Sequence, residues 1–443
     1  MTDQSKNVIL VEFNELVPHL VDKFMAEGHL PNFKRLADKS RCFVTDAAQS
    51  GEDLNPWIQW VTVHTGLTPE EHTVYRLNEA DKCKGKYIWD DLSAQGKSSL
   101  IFGSMNGYIT DSFKGTYLPD PWDTLTQPSE KLKNYAEFIK AYVQGNPANS
   151  KVSAVQFLSF MVQNGLSFKT CLKIAKQLII EKFDAKKKWR RAGLLDWIQL
   201  DVFRHLYKKE RPTLATIFSN STAHIQHTLW KESFPEEFGG NTAKTMSDNP
   251  MLISYINHDK LLGDILKLAD ENTEIALCTA LSQQPYTKNE KCFYHINDFN
   301  KLVSTLSIPG NPKYIPVMAE QFHIKFDSKE AVNVAFEHLS QFEMLNDSYF
   351  YEGSNKVFSM SIDENTIHIK NRCSTEVKQG AIFRSSITEE SFSFYDLFYK
   401  MDDQKTGIHH PHGIFWITSS NKDTVNTIIP LEEVNNKLMA KVN

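Results

Sequence analysis

Two short segments concentrate the side chains best suited to chemistry. Ser219-Asn-Ser-Thr-Ala-His224-Ile-Gln-His227 lies at the end of a predicted strand, and Gly407-Ile-His409-His410-Pro-His412-Gly413 occupies a predicted loop just before another. Histidine is a common ligand for zinc, manganese or iron, and a His-x-x-His loop can place two imidazoles on one ion. A catalytic metal site draws three or four such ligands from distant segments. His224, His227 and His409 are therefore the candidate metal ligands, with Asn220, His410 and His412 as candidate substrate contacts. The same histidines could instead hydrogen-bond loop backbones or hold an anionic substrate.

A second set is made of oxygen groups: Glu12, Asn14, Glu15, Glu52 and Asp53. Neighbouring carboxylates can divide acid and base roles between them. Glu12, Glu15 and Asp53 are the candidate catalytic groups, and Asn14 and Asn55 candidate substrate contacts. A carboxylate inside a buried strand is costly without a partner or a metal, which points Glu12 toward function. Asp53 or Asn55 could equally cap the helix that follows.

The elements that must position these groups follow from periodicity. Val8-Ile9-Leu10-Val11 is a β-branched run typical of a strand buried on both faces of a parallel sheet. On that strand Glu12 and Asn14, two apart, project to the same side. Helices follow at about 18–27 and 31–38, and Asn55-Pro56 opens another that runs through His64. Its Trp57, Trp60 and His64 face is expected to pack, and His29 and His72 to pack or cap locally. Further strands are expected at 98–103, 214–219, 274–279 and 413–417, with a long amphipathic helix over 251–270. The stretch 131–209 is helix-rich, interrupted at 145–150. The fold class is α/β, a central mostly parallel sheet sandwiched by helices. Its expected divisions are core 1–130, helical cap insertion 131–209, core 210–312, a small α+β subdomain at 313–394, and core 395–443. In such sheets ligands collect at the carboxyl ends of the strands.

Taken in order, these segments resemble a known family. The strand ending Glu12-Phe-Asn14-Glu15 is followed by Leu30-Pro-Asn-Phe-Lys-Arg-Leu36, Trp60-Val-Thr-Val-His-Thr-Gly-Leu67 with Pro69 and His72, and Ile88-Trp-Asp-Asp-Leu-Ser-Ala-Gln-Gly96. His224-Ile-Gln-His227 and the Gly407–Gly413 segment come later. The order resembles the alkaline phosphatase superfamily in its type I phosphodiesterase/nucleotide pyrophosphatase branch, over about 1–110, 211–285 and 395–420. The resemblance implies a mixed sheet with metals at the strand ends, and a Ser or Thr nucleophile with two divalent ions that transfer phosphoryl or sulfuryl groups. Carried over by position, the first metal-binding Asp falls on Asn14, and the nucleophile falls on 53–56, where no Ser or Thr stands. The Asp four residues before the metal-binding His falls on Ala223, and that His on His227. The Asp-His-Gly segment is replaced near Ala280-Leu-Ser-Gln283, and the late metal-binding His falls on His409.

Losing those carboxylates removes much of the charge that would hold two dications about 4 Å apart. The expectation is a rearranged site drawing on Glu12, Glu15, Asp53 and His224. In a one-metal version His224, His227 and His409 hold zinc or manganese and Asp53 activates water or an acceptor hydroxyl; a metal-free version is the alternative. The expected activity is phosphoester or phosphodiester hydrolysis on a small phosphorylated or nucleotide-linked, sugar-containing substrate. A glycosyl or phosphoryl transferase and an inactive ligand-binding pseudoenzyme are the alternatives.

Composition narrows the partners. With 49 Lys and Arg against 54 Asp and Glu, the net charge of −5 gives no basic footprint for a nucleic acid. The one basic run, Lys186-Lys-Lys-Trp-Arg-Arg191, is either a solvated helix end or a contact for phosphate-rich lipid, glycan or a membrane surface. Six dispersed cysteines (Cys42, Cys83, Cys171, Cys278, Cys292, Cys373) are expected as reduced core thiols, without a disulfide frame or zinc site. The polar start Met1–Asn7 and the absence of an apolar run of about 20 residues lead to the expectation of a cytoplasmic protein. Its oligomeric state is left open.

Overall fold

The structure is a computed structural model that describes residues 6–144, 150–241, 248–287, 292–317, 321–346, 349, 354–401, 405–419 and 427–443. The side chain of Glu52 and most of the expected interruption at 145–150 lie outside the described residues. The chain forms two compact units, Met1–Thr287 with Thr406–Asn443, and Lys288–Lys405.

In the first unit β1 (Asn7–Phe13) leads through α1 (Pro18–Ala26) and α2 (Pro31–Ala37) to β2 (Ser40–Asp46). Then come α3 (Pro56–Thr65), α4 (Pro69–His72), α5 (Ile88–Ala94), β3 (Ser99–Phe102) and β4 (Gly115–Leu118). Four helices, α6 (Lys133–Val143), α7 (Ala154–Gln163), α8 (Phe168–Phe183) and α9 (Arg191–Glu210), stand between β4 and β5 (Leu214–Ser219). A 3-10 helix, Ala185–Arg190, joins α8 to α9. The unit continues with α10 (Ser221–Ser233), α11 (Pro250–Ile265), β6 (Thr273–Cys278) and β7 (Ser282–Pro285).

The second unit holds β8 (Tyr294–Ile296), α12 (Phe299–Thr305), β9 (Lys313–Pro316), β10 (Gln321–Lys325), α13 (Lys329–Ser340) and β11 (Phe342–Met344). After these come β12 (Phe358–Asp363), β13 (Thr366–Asn371), β14 (Ile382–Ser385), β15 (Ser391–Ser393), α14 (Phe394–Leu397) and β16 (Phe398–Lys400). A four-stranded sheet ordered β12-β13-β10-β9 includes the antiparallel hairpin of β12 and β13, and Phe322, Ile324, Ile367 and Ile369 anchor this unit's own core. Its bounds are wider than the 313–394 expected. The chain re-enters the first unit with β17 (Gly407–His410), β18 (His412–Thr418), β19 (Thr427–Pro430) and α15 (Glu433–Val442).

The central sheet has eight strands, ordered β19-β2-β18-β6-β1-β5-β3-β4. Strand β18 runs antiparallel to β2 and β6, and the other pairings are parallel. This is the mixed, mostly parallel helix-flanked sheet expected from the apolar runs. Strand β1 sits at its centre, with Val8 to Val11 fully buried. Alternation assigns its faces: Ile9, Val11 and Phe13 join the core built with α1, α2, α9, α10 and α11. Val8, Leu10 and Glu12 therefore face the opposite layer, where α3 and α15 pack.

Two features fix the helices. Asp259 on α11 accepts the N–H groups of Asn32 and Phe33 at 2.7 and 3.0 Å, capping α2 from a neighbouring helix. Close approach there requires Gly263, since a Cβ would meet the Asn32 side chain at 2.7 Å. His258, one residue before Asp259, is buried between Thr222 Oγ1 (2.7 Å) and Ser219 Oγ (2.9 Å). The cysteines are all free, but only Cys278, Cys292 and Cys373 are buried; Cys171 is exposed, which corrects the expectation of six core thiols. Among the described residues no helix is long and apolar enough to cross a membrane.

Burial pushes His258 and His72 down to about 4, so both stay neutral in the folded chain. The unfolded chain, with ordinary histidines near 6.5, then takes up protons first as pH falls. Stability should be fully present above pH 6.5 and decline down to about 4, by up to about 3 kcal/mol for His258. Urea titrations of the wild type and His258→Gln across that window check this: the variant's slope against pH should be clearly smaller, and an unchanged slope refutes the assignment.

Candidate metal centre

The site begins where β1 ends. Glu15 follows the strand with φ of 63°, a left-handed conformation that costs a non-glycine residue about 1–3 kcal/mol and tends to persist at functional positions. The turn brings its carboxylate back toward α10 and β17. Asn14 Nδ2 donates to Glu15 Oε1 at 2.8 Å, and Gln283 Nε2 donates to Oε2. His227 Nε2 lies 3.1 Å from Oε2, and His409 Nε2 lies 3.7 Å from Oε1.

Both imidazoles are held from behind. His227 Nδ1 donates to the Gly407 carbonyl at 2.9 Å, and His409 Nδ1 to the Leu54 carbonyl at 2.7 Å. Each ring therefore has a proton on Nδ1 and turns Nε2 to the same carboxylate. Metal-ligating histidines are characteristically fixed in this way. Ligand atoms of Glu15, His227 and His409 all lie within 4.8 Å of one another, the one such group of His, Cys, Asp and Glu among the described residues. Burial would raise the Glu15 pKa, but the His409 and His227 rings outweigh it and hold it near 2, so the carboxylate is anionic. One carboxylate and two imidazoles is a ligand set suited to zinc or manganese, so the residues fit a divalent ion.

Several expected residues take different places. His224 does not join the centre: the expected loop is helix α10, and His224 is exposed on it while His227 is half-buried. Glu15, expected in catalysis, instead lies with His227 and His409 in the candidate group. The His-rich segment 407–413 is likewise no loop. Strand β17 pairs antiparallel with β7, setting His409 opposite Gln283 and His410 opposite Ser282. Period-two alternation sends His409 to Glu15 and His410 to the other side. There His410 and His412 pack ring to ring at 5.0 Å, with His412 Nε2 3.8 Å from Asp46. Burial, with the His412 and His19 charges, lowers the His410 pKa. These two histidines form a separate cluster and do not contact the centre as expected.

Glu12 is also reassigned. It is fully buried, and His64 Nε2 lies 2.8 Å from Oε1 while Ser104 Oγ donates to Oε2 at 2.7 Å. Both oxygens are bound by the protein, so the cost of burial is met by a structural partner and no face is left for a substrate. Asn14 is committed in the same way. Its Nδ2 also donates to Asn220 Oδ1 at 2.7 Å, and its Oδ1 accepts from Trp60 Nε1 at 2.8 Å. It positions Glu15 and does not reach outward.

Asn55 stands at the N-cap of α3 but makes no side-chain cap bond, against the capping expected of it. It follows Leu54, the residue that anchors His409. Asp53 precedes Leu54 and is exposed. Asn220 is half-buried at the start of α10. Two groups had no role assigned to them from sequence: Gln283, which also donates to the Ala223 carbonyl at 3.0 Å, and Gln226, which donates to the Glu15 carbonyl at 2.8 Å. Gln283 stands just where the family's Asp-His-Gly segment was replaced, which was the signal available for it.

The chain matches the family profile for type I phosphodiesterase / nucleotide pyrophosphatase over residues 8–340. It belongs to that family. No curated protein sequence matches it. Among solved structures, murine ectonucleotide pyrophosphatase / phosphodiesterase 5 is similar at 12% identity, covering 99% of this chain and 95% of the other, with a TM-score of 0.43. Phosphonoacetate hydrolase from Sinorhizobium meliloti, in complex with phosphonoformate, is similar at 10% identity, covering 99% and 96%, with a TM-score of 0.45.

The Glu12–His64 pair generates a prediction that separates it from the centre. His64→Ala should leave a buried carboxylate without its main partner and destabilise the first unit by roughly 3 kcal/mol. Its metal stoichiometry below the melting transition should match the wild type. Calorimetry and metal analysis check this; loss of metal at unchanged stability would return Glu12 to the active site.

Proposed function

We propose that the chain hydrolyses phosphoester bonds of a small phosphorylated or nucleotide-linked substrate at a one-ion centre made by Glu15, His227 and His409. The observation that carries this reading is the shared aim of the two imidazoles. Each is locked by a backbone carbonyl and presents Nε2 to one anionic carboxylate. A zinc or manganese ion bound there supplies Lewis acidity toward a phosphoryl group.

The surrounding residues have definable work. Glu15 keeps its orientation through the Asn14 and Gln283 amides, which donate to its two oxygens. Asn55, next to Leu54, and Asn220, whose Oδ1 accepts from Asn14 at 2.7 Å, are proposed to donate amide hydrogens to the phosphoryl oxygens. Asp53, exposed beside Leu54, is proposed as the base that takes the proton of the attacking water. No hydroxyl side chain occurs in Asp53-Leu54-Asn55-Pro56, so direct attack by water is favoured over a covalent ester.

Metal analysis of the purified protein should find about one equivalent of zinc or manganese. Glu15→Gln and His227→Ala should lose the ion and lower kcat/KM on an aryl phosphodiester by more than about 100-fold. Full activity in either variant overturns the centre. Asp53→Asn should lower kcat about 100-fold while retaining the ion, and unchanged turnover removes its role as base.

A further inference from the structure

Helix α8 is amphipathic in the wrong direction for a globular protein. An ordinary surface helix turns its apolar stripe to the core. In α8 the buried positions are the polar Thr170 and Gln177. On the same side Glu181 accepts from Gln177 Nε2 at 2.8 Å and from Arg191 Nε at 2.8 Å. The opposite side carries Phe168, Leu172, Ala175, Ile179 and Phe183, all exposed. At 3.6 residues per turn these five fall within an arc of about 80°. Phe168 and Phe183, at the two ends of the helix, are 77% and 84% exposed. Helix α7 adds a second outward row, Val155, Leu158 and Val162, while its Phe157, Phe160 and Met161 pack on the core.

Charge surrounds the stripe. Between Phe168 and Arg191 there are nine Lys and Arg against two acidic residues, within a chain of net charge −5. Arg191 is engaged by Glu181, and Lys187 lies 3.6 Å from Asp184. Lys176 and Lys182 border the apolar row, and Lys186 and Lys188 follow it, all four exposed. Long lysine stems can lie along an apolar surface while their ammonium groups reach a charged layer.

We propose that this face docks on a membrane surface bearing anionic phospholipids. The apolar row of α8 enters the boundary between headgroups and acyl chains, and the flanking lysines meet lipid phosphates. Outward apolar residues, one per turn, with a basic border are the composition of an interfacial helix. A fluid bilayer accepts such a row without shape complementarity. A second copy packed on the same face by a twofold axis would bring two strongly basic segments together.

Sedimentation with vesicles tests this on the full chain. The wild type should pellet with vesicles of equal parts phosphatidylcholine and phosphatidylglycerol and not with phosphatidylcholine alone, and rising salt should weaken binding. The double variant Ile179→Ser/Phe183→Ser should lower the partition coefficient at least about tenfold. The triple variant Lys186→Glu/Lys187→Glu/Lys188→Glu should lower it on the order of a hundredfold. Ile179, Phe183, Lys186 and Lys188 are exposed and Lys187 is half-exposed, and circular dichroism checks that the variants fold. Failure of the wild type to pellet with the anionic vesicles overturns the proposal, as does wild-type binding by both variants. A dimer in analytical ultracentrifugation that the same substitutions abolish, with no vesicle binding, assigns the face to a second copy and also overturns it.

Discussion

The contact on which the site depends is a pair of polar rungs between β1 and α3. Glu12 and Asn14 are two residues apart on the strand, a rise of about 6.6 Å. Trp60 and His64 are four apart on the helix, a rise of about 6 Å. The two spacings match, so Glu12 meets His64 and Asn14 meets Trp60 at 2.8 Å in both cases. These two buried polar bonds set the register of helix against strand, because a slip would break both at once and leave buried polar atoms unpaired. The direction in which Asn14 presents its Nδ2 is thereby fixed, and through it the orientation of the Glu15 carboxylate.

From that register the centre follows by short steps. Asn14 bridges to Asn220 at the start of α10, which is the helix that carries His227. Gln226, next to His227, holds the Glu15 backbone carbonyl and accepts the Tyr255 hydroxyl at 2.6 Å from α11. Strand β17 supplies both His409 and the Gly407 carbonyl that anchors His227, so one strand sets two of the three groups. A Cβ at Gly407 would lie 2.5 Å from the Gln226 carbonyl oxygen, so only glycine permits this approach of β17 to α10.

Much of the fold was legible because its signals are local. The fully buried β1, β5 and β6 are short apolar runs, and the Pro at the first turn announced α1, α2 and α3. His227 and His409, which the fold brings to one carboxylate, were candidates from residue type and order. Glu12 was misread although the rule behind it was sound: a buried carboxylate did need a partner, but that partner was His64, 52 residues on and taken only for packing. Strand β17 escaped notice because four residues before a proline carry no alternation, and its pairing with β7 spans more than a hundred residues. His224 failed differently: it stands on α10 one turn before His227 but is exposed there, while His227 turns to Glu15. In α8 the period was visible, but periodicity does not say which face meets the core.

The arrangement of charge gives the strongest reason to connect the family's position with this chain's own residues. Where the family resemblance expects an aspartate at the end of the first strand, Asn14 is neutral and its amide donates to the carboxylate of the next residue. The negative charge has moved by one position, and the backbone has turned through a left-handed residue to bring it back toward the sheet's carboxyl edge. Ala223 and Gln283 leave two further positions without charge, and Gln283 now donates to Glu15. A bound ion would thus meet a single carboxylate and two imidazoles. Such a set balances only half of a dication, and under the proposed reading the remaining positive charge is what would draw a phosphoryl anion to the exposed side of His227 and His409.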